Sequence, residues 1–193
     1  MGKQLLAAAA LAAAMACDSG GSADNGHVCP GASMTPPELP ADYSGNFTGN
    51  WWFEVTVSAP DYGIEESDSG NAAIERRGEN LVILPTCGDG SPALVTSATT
   101  LDPVCFVCPA LEVEGCSHVV VTLESGTGQL DEMTGDLSIA IDGTMDICGD
   151  TVAMTLTLDG SPPVGGAAPA AAGAPQGAVD LPALAAVAAR LAR

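Results

Sequence analysis

The chain has 193 residues, of which 24 are acidic and five are basic, and its formal net charge is −19. A surface this acidic repels phosphate backbones, which excludes nucleic acid as a partner. It also repels anionic lipid head groups, so charge does not hold the chain on a membrane. The length suits one ordinary domain with tails.

The first element along the chain has the features of an export signal. Lys3 supplies a positive charge, and residues 5–16 form an apolar run of 12 residues. A helix that crosses a membrane needs about 20 apolar residues, so this run is too short to span a bilayer stably. We therefore interpret residues 1–16 as a signal peptide.

The segment Ala14-Met15-Ala16-Cys17 resembles the lipobox of bacterial lipoproteins, although that family usually has Leu where this chain has Ala14. The resemblance implies that Cys17 is acylated, for example by palmitate. It also implies a place in the cell envelope, with the outer membrane or cell surface favoured over the inner membrane. Two acyl chains give stable anchoring where one does not. The alternative is ordinary signal cleavage that leaves Cys17 as a plain thiol.

The seven cysteines are an odd number, which needs an explanation in an exported chain. Acylation of Cys17 would leave an even set of six, and exported compartments allow disulfides to form. Sequence alone does not choose among the pairings, and our single specific expectation is a bridge between Cys108 and Cys116. The disulfide candidates are Cys29, Cys87, Cys105, Cys108, Cys116 and Cys148.

The remaining chain divides by composition. Residues 17–41 are rich in Gly, Ser, Asn, Asp and Pro and predict a flexible lipidated tether. Residues 42–160 predict the folded domain, and residues 161–179 predict a linker rich in Ala, Pro and Gly. Residues 180–193 have a short helical pattern with Asp180 as its N-cap, and a docked helix and a frayed tail are equally expected.

The folded segment has β character because apolar and polar residues alternate along it. In the first strand, Phe53, Val55 and Val57 share one face. Asp142-Gly143 is a hairpin or bulge signal. We predict strands over residues 51–58, 71–77, 80–84, 93–100, 104–108, 117–124, 137–141, 145–147 and 151–158, and an acidic loop over residues 61–70.

Half-apolar strands joined by short turns predict an all-β domain, an antiparallel meander of about eight strands. Closure removes exposed edges, so a small barrel is our first interpretation and a two-sheet sandwich the second. Gly49-Asn50-Trp51 resembles the G-x-W motif of lipocalins. That resemblance implies that Trp51 closes one end of a barrel holding a small apolar ligand. The family's arginine on a late strand is missing, so the resemblance extends to a lipocalin-like barrel only.

One cluster has the residue types of a metal site. Cys105, Cys108, Cys116 and His118 match a structural zinc set in type, but their spacing fits no standard zinc pattern and export favours disulfides. We therefore favour no metal and no other cofactor. His118 is the single histidine of the predicted domain, and no triad partner is visible in the sequence, so we expect no enzymatic activity.

These features predict a membrane-anchored envelope lipoprotein with a disulfide-stapled β domain and a non-enzymatic binding or structural role. Its expected partners are the membrane, through the lipid, and an envelope protein. The first alternative is a carrier of a small apolar ligand. A large cavity would favour it, and a filled interior would count against it. The distant alternative is a zinc-binding module.

Overall fold

The computed structural model describes Cys29 and residues 37–84, 86–87, 90–108, 110–114, 116–162 and 182–192. The predicted signal peptide, Cys17 and most of the predicted tether and linker lie outside these residues.

The described residues form ten strands, two short 3-10 helices and one α-helix. The 3-10 helices are Ser44–Asn46 and Pro60–Tyr62, and the α-helix is α1, Pro182–Leu191. The strands are β1 Gly49–Ala59, β2 Ile64–Arg77, β3 Asn80–Ile83, β4 Ser91–Val95, β5 Thr100–Pro103, β6 Phe106–Val107, β7 Leu111–Val113, β8 Cys116–Leu130, β9 Leu137–Ile147 and β10 Asp150–Ser161.

Eight of these strands close into an antiparallel barrel. β1 to β5 pair in chain order, β8 to β10 do the same, and the pairs β1–β10 and β5–β8 close the ring. The two extra strands, β6 and β7, pair with β8. The predicted all-β class and the meander are therefore confirmed, and the barrel rather than the sandwich is the architecture.

Because consecutive strands of the barrel run in opposite directions, the connections between them lie alternately at its two ends. We call one the Trp51 end; it holds the start of β1, the end of β10, and the β2–β3, β4–β5 and β8–β9 turns. We call the other the disulfide end; it holds the β1–β2, β3–β4, β5–β8 and β9–β10 connections.

The core lies inside the barrel because the inward faces of the long strands are apolar. β1, β9 and β10 bury every second residue, as period-2 alternation requires. The seven residues that would line a ligand cavity are each at most 5% exposed: Phe53, Val55, Val57, Ile139, Ile141, Leu156 and Leu158.

The predicted acidic loop over residues 61–70 is wrong for most of its length. β2 begins at Ile64 and pairs with β1 over eleven residues. Its other edge pairs with β3 only from Ile74 onward, and most of residues 65–71 are exposed. This segment is a strand because its backbone pairs with β1. Its sequence lacks the apolar alternation from which a strand is predicted.

Candidate functional site: the two ends of the barrel

Two aromatic side chains are buried at the Trp51 end. Trp51 is 6% exposed and Phe47 is fully buried, both within the core. The indole Nε1–H of Trp51 donates a hydrogen bond of 2.9 Å to the carbonyl oxygen of Phe47. This bond links the segment before β1 to the side chain of Trp51. Trp52, the next residue, points outward as alternation requires and is 49% exposed.

The segment before β1 is also tied to two turns of the same end. The Arg76 guanidinium pairs with Asp42 and donates to the Ser44 hydroxyl at 3.0 Å. The Asn46 amide donates to the carbonyl oxygen of Ala98 in the β4–β5 turn at 2.8 Å. Hydrogen bonds from the Ser44 hydroxyl, the Ser44 backbone N–H and Arg76 lower the pKa of Asp42 from 3.8 to about 2.

All six candidate cysteines form disulfides, and each bridge has at least one cysteine in the β3–β4, β5–β8 or β9–β10 connection. Cys87 of the β3–β4 connection pairs with Cys108 of the β5–β8 connection. Cys116, the first residue of β8, pairs with Cys148 of the β9–β10 turn. Cys29 pairs with Cys105. Each pair has its Cα atoms 5.6 Å apart, within the usual range for a disulfide.

The expected Cys108–Cys116 bridge is wrong. The two residues are eight positions apart in the sequence, but the barrel brings each next to a more distant partner. The backbone N–H of Cys108 bonds Val121 of β8, which places Cys108 five residues along β8 from Cys116. The β8–β9 ladder instead carries Cys116 to Cys148, whose N–H lies 2.9 Å from the Cys116 sulfur.

The same bridges overturn the weak zinc alternative. Zinc binds thiolates, and the sulfurs of Cys105, Cys108 and Cys116 are each bonded to a different partner cysteine. His118 is exposed on β8. Across the part of the chain that the structure describes, no group of three or more potential metal ligands is found.

The C-terminal helix α1 packs on the core near the disulfide end. It contacts β1, β2, β7 and β9. Ala183, Leu184, Val187 and Ala188 are at most 3% exposed and belong to the core. The Arg190 guanidinium hydrogen-bonds to Glu66 of β2. A docked helix over Pro182–Leu191, rather than a frayed tail, is therefore the structure of this segment.

Side chains pack closely against the inward-facing glycines of the barrel and against one another. A methyl group placed on Gly160 would lie 2.6 Å from the Phe53 ring, and one placed on Gly128 would lie 2.6 Å from Leu101. A void of ligand size would expose the side chains that line it, and the seven lining residues are nearly inaccessible. Those residues thus surround packed core.

Several acidic residues of β2 and of the β8–β9 turn have ordinary structural positions. Glu65 and Asp68 are exposed on β2, and Glu66 takes part in the contact with α1. Asp131 caps the β8–β9 turn, because its carboxylate accepts from the backbone N–H groups of Met133 and Thr134.

Sequence reasoning missed two contacts at these ends. The burial of Phe47, an apolar residue just before the first predicted strand, was not predicted. The Arg190–Glu66 contact joins residues 124 positions apart and left no local signal.

The comparisons with known proteins identify no relative. No family model, no curated protein and no solved structure matches this chain. Within the described residues, no helix is long and apolar enough to cross a membrane.

Proposed function

We propose that this chain is an envelope lipoprotein, held on a bacterial membrane by acylated Cys17, whose barrel serves as a non-enzymatic binding or structural domain. The proposal combines a short apolar run after Lys3 and a lipobox-like Ala14-Met15-Ala16-Cys17 with a disulfide-stapled barrel.

The observation that carries the proposal is the disposition of the cysteines. The chain has seven, and six of them are taken up in three bridges with each other. Every potential intramolecular partner of Cys17 is therefore already engaged. Three disulfides are expected of a domain that folds in an oxidising compartment, and an acylated cysteine accounts for the odd thiol.

The filled interior supports a role for the outer surface rather than the lumen. The carrier alternative draws its support from the closed eight-stranded barrel, which in principle can hold one small ligand. The burial of the seven inward-facing residues counts against such a lumen. We therefore place binding, where it occurs, on the exterior or at the ends of the barrel.

Mass spectrometry of the protein purified from its own membrane tests the proposal. We expect an N-terminal peptide that begins at Cys17 and carries acyl chains, and processing that is blocked by globomycin, an inhibitor of lipoprotein signal peptidase. A Cys17→Ser variant should lose the acyl mass and the membrane association. The neighbouring Ser19→Ala variant is the matched control and should keep both. A wild-type chain cleaved before Cys17 but carrying an unmodified thiol would overturn the proposal.

The same sample discriminates the carrier alternative. Native mass spectrometry of the folded protein reports any retained small molecule. The proposal expects the mass of the acylated chain alone, whereas a carrier would show an additional apolar ligand that denaturation releases.

A further inference from the structure

We infer that the side of β2 that faces away from β1 binds an extended, basic segment of a partner protein, which adds to the barrel as a further strand. The segment pairs with residues 65–71, which we call the β2 edge. The inference rests on the proposed binding role of the domain and not on the acylation of Cys17.

The direction of the backbone groups follows from one hydrogen bond. The backbone N–H of Leu84 donates to the carbonyl oxygen of Ala73 at 3.0 Å, so the polar backbone groups of Ala73 point away from β1. In an antiparallel ladder, every second residue of a strand points its N–H and C=O groups to the same side. The residues of the β2 edge that share this direction are Glu65, Ser67, Ser69 and Asn71.

The strand next to β2 ends before it reaches these residues. β3 pairs with residues 74–77 of β2, and beyond Leu84 the chain turns, with the Thr86 hydroxyl donating to the carbonyl oxygen of Ile83. Among the described residues, no backbone group bonds to the N–H and C=O groups that the β2 edge directs away from β1. A row of unpaired backbone groups is a template on which a further strand forms.

One of these donors already uses a substitute partner. The backbone N–H of Ser69 donates to the carboxylate of the preceding residue, Asp68, at 2.8 Å. Both residues are exposed, so an incoming backbone carbonyl can replace this bond without opening the core. The β2 edge therefore has a donor that is ready for exchange at its centre.

The β2 edge is also accessible. α1 reaches it at Glu66, which accepts a hydrogen bond from Arg190. A methyl group on Gly70 would meet nothing within 4 Å, which leaves room for the side chains of an added strand. The exposed residues of the edge are Glu65, Ser67, Asp68, Ser69 and Asn71.

The charge of the β2 edge selects the partner. Glu65 and Asp68 are exposed on it, and Glu54, which pairs with Ser69, is exposed on the neighbouring β1. A second copy of the chain would bring the same carboxylates to the same edge and would be repelled. Lysine and arginine side chains are instead attracted, also over a distance, by a chain with a net charge of −19. The partner segment is therefore basic, and it is not another copy of this chain.

Fluorescence anisotropy of a labelled peptide tests the inference. The probe is a heptapeptide of alternating lysine and valine, because valine favours an extended strand and lysine supplies the charge. It is titrated with the full-length protein in a neutral detergent at low ionic strength. We expect binding of this peptide and no binding of the matched heptapeptide in which glutamate replaces lysine.

Ser69→Pro and Ser69→Ala form a matched pair of variants. Proline lacks the N–H group, and its ring occupies the side on which the added strand pairs. The N–H of Ser69 points away from β1, so the barrel should form, and the emission of buried Trp51 checks this. Ser69→Pro should weaken binding at least about tenfold, as expected for the loss of about two hydrogen bonds. Ser69→Ala should bind as the wild type does, and Ser67→Pro replaces Ser69→Pro should that variant unfold.

A second pair of variants tests the charge. Glu65→Gln/Asp68→Asn should weaken binding about three- to tenfold at low salt and reduce its dependence on salt. Glu132→Gln/Asp150→Asn removes the same charge from two exposed positions outside β2 and should bind as the wild type does.

The outcomes separate this inference from the anchoring of the protein. Equal binding by Ser69→Pro and Ser69→Ala would overturn the inference, because attraction to the acidic surface alone would then hold the peptide. A wild type that binds both peptides equally, or neither, would overturn it as well. So would a wild-type dimer in sedimentation that Ser69→Pro abolishes, since the edge would then pair with a second copy. None of these results affects acylation of Cys17, and an unmodified Cys17 would overturn the anchoring while leaving the peptide site in place.

Discussion

Two glycines beside Phe53 provide a direct test of how the interior is filled. Phe53 of β1 pairs with Gly160 of β10 on one side and with Gly70 of β2 on the other. A methyl group on Gly160 would meet the Phe53 ring at 2.6, 3.0 and 3.3 Å. A methyl group on Gly70 would meet nothing within 4 Å. The ring therefore fills the space on one side of Phe53 only.

The two substitutions should change stability in opposite directions. A methyl group on Gly160 would lie closer to the buried Phe53 ring than packing allows, so the ring has to leave its present position, and Gly160→Ala should lower the free energy of unfolding by about 1–3 kcal/mol. Gly70→Ala should raise it by about 0.5–1 kcal/mol, because alanine loses less backbone entropy than glycine on entering a strand.

Equilibrium urea unfolding of the oxidised protein, followed by the emission of buried Trp51, measures both changes. A Phe53→Leu background gives a further check. With the ring removed, Gly160→Ala should cost less than it does in the wild type, which a double-mutant cycle reports as coupling. A Gly160→Ala protein as stable as Gly70→Ala would refute the close packing of Phe53 against Gly160.

Three further changes test the two ends of the barrel. Trp51→Phe removes the indole N–H that donates to the Phe47 carbonyl oxygen. It should lower the free energy of unfolding by about 0.5–1.5 kcal/mol, as measured by thermal unfolding followed by circular dichroism. The pKa of Asp42 is lower in the folded protein than its unfolded value near 3.8, so its ionised form stabilises the fold above that pH. This contribution is lost as the pH falls from about 4 to about 2 and Asp42 becomes protonated. Asp42→Asn should therefore lose less free energy of unfolding over this pH range than the wild type does. An unchanged difference between variant and wild type at pH 6 and pH 2 would contradict this. Cys116→Ser/Cys148→Ser should lower the free energy of unfolding by about 2–4 kcal/mol, as measured by urea unfolding. A variant as stable as the wild type would show that this disulfide does not stabilise the β9–β10 turn.

The long strands could be predicted because one of their faces is solvated and the other packs in the core. β1, β9 and β10 alternate over their whole lengths, so the period of two is visible in the sequence. The short turns between the predicted strands led to the prediction of an antiparallel barrel. Asp142-Gly143, taken as a hairpin or bulge signal, lies inside β9 opposite the β8 bulge between Leu123 and Ser125.

Irregular strands could not be predicted from alternation. In β8 the bulge after Leu123 shifts the inward face from odd to even positions, so its second half had no continuous pattern. The single strand predicted over residues 93–100 is two strands, β4 and β5. The turn between them is held by the hydroxyls of Ser97 and Thr100, and Ser97 accepts from two backbone N–H groups.

The candidate site was predictable in its residue types but not in its pairings. The odd cysteine and the even set of six follow from counting, whereas a disulfide needs two Cα atoms about 4.4–6.8 Å apart, which only the closed barrel provides. Trp51 was found through its motif. Its hydrogen-bond partner is the Phe47 backbone, and a carbonyl oxygen leaves no mark in the sequence.

The position of the Cys87–Cys108 bridge follows from the unequal strand lengths. β3 has four residues and β4 has five, against 14 in β2 and 15 in β8. Near the disulfide end, β2 therefore lacks a β3 neighbour along residues 64–73, and the wall there is incomplete. The Cys87–Cys108 bridge joins the two connections that border this region, and α1 packs against β2 with Arg190 on Glu66. Covalent links and a docked helix thus replace ladder hydrogen bonds where the strands are short, while the Trp51 end, with its regular turns, is held by packing and hydrogen bonds.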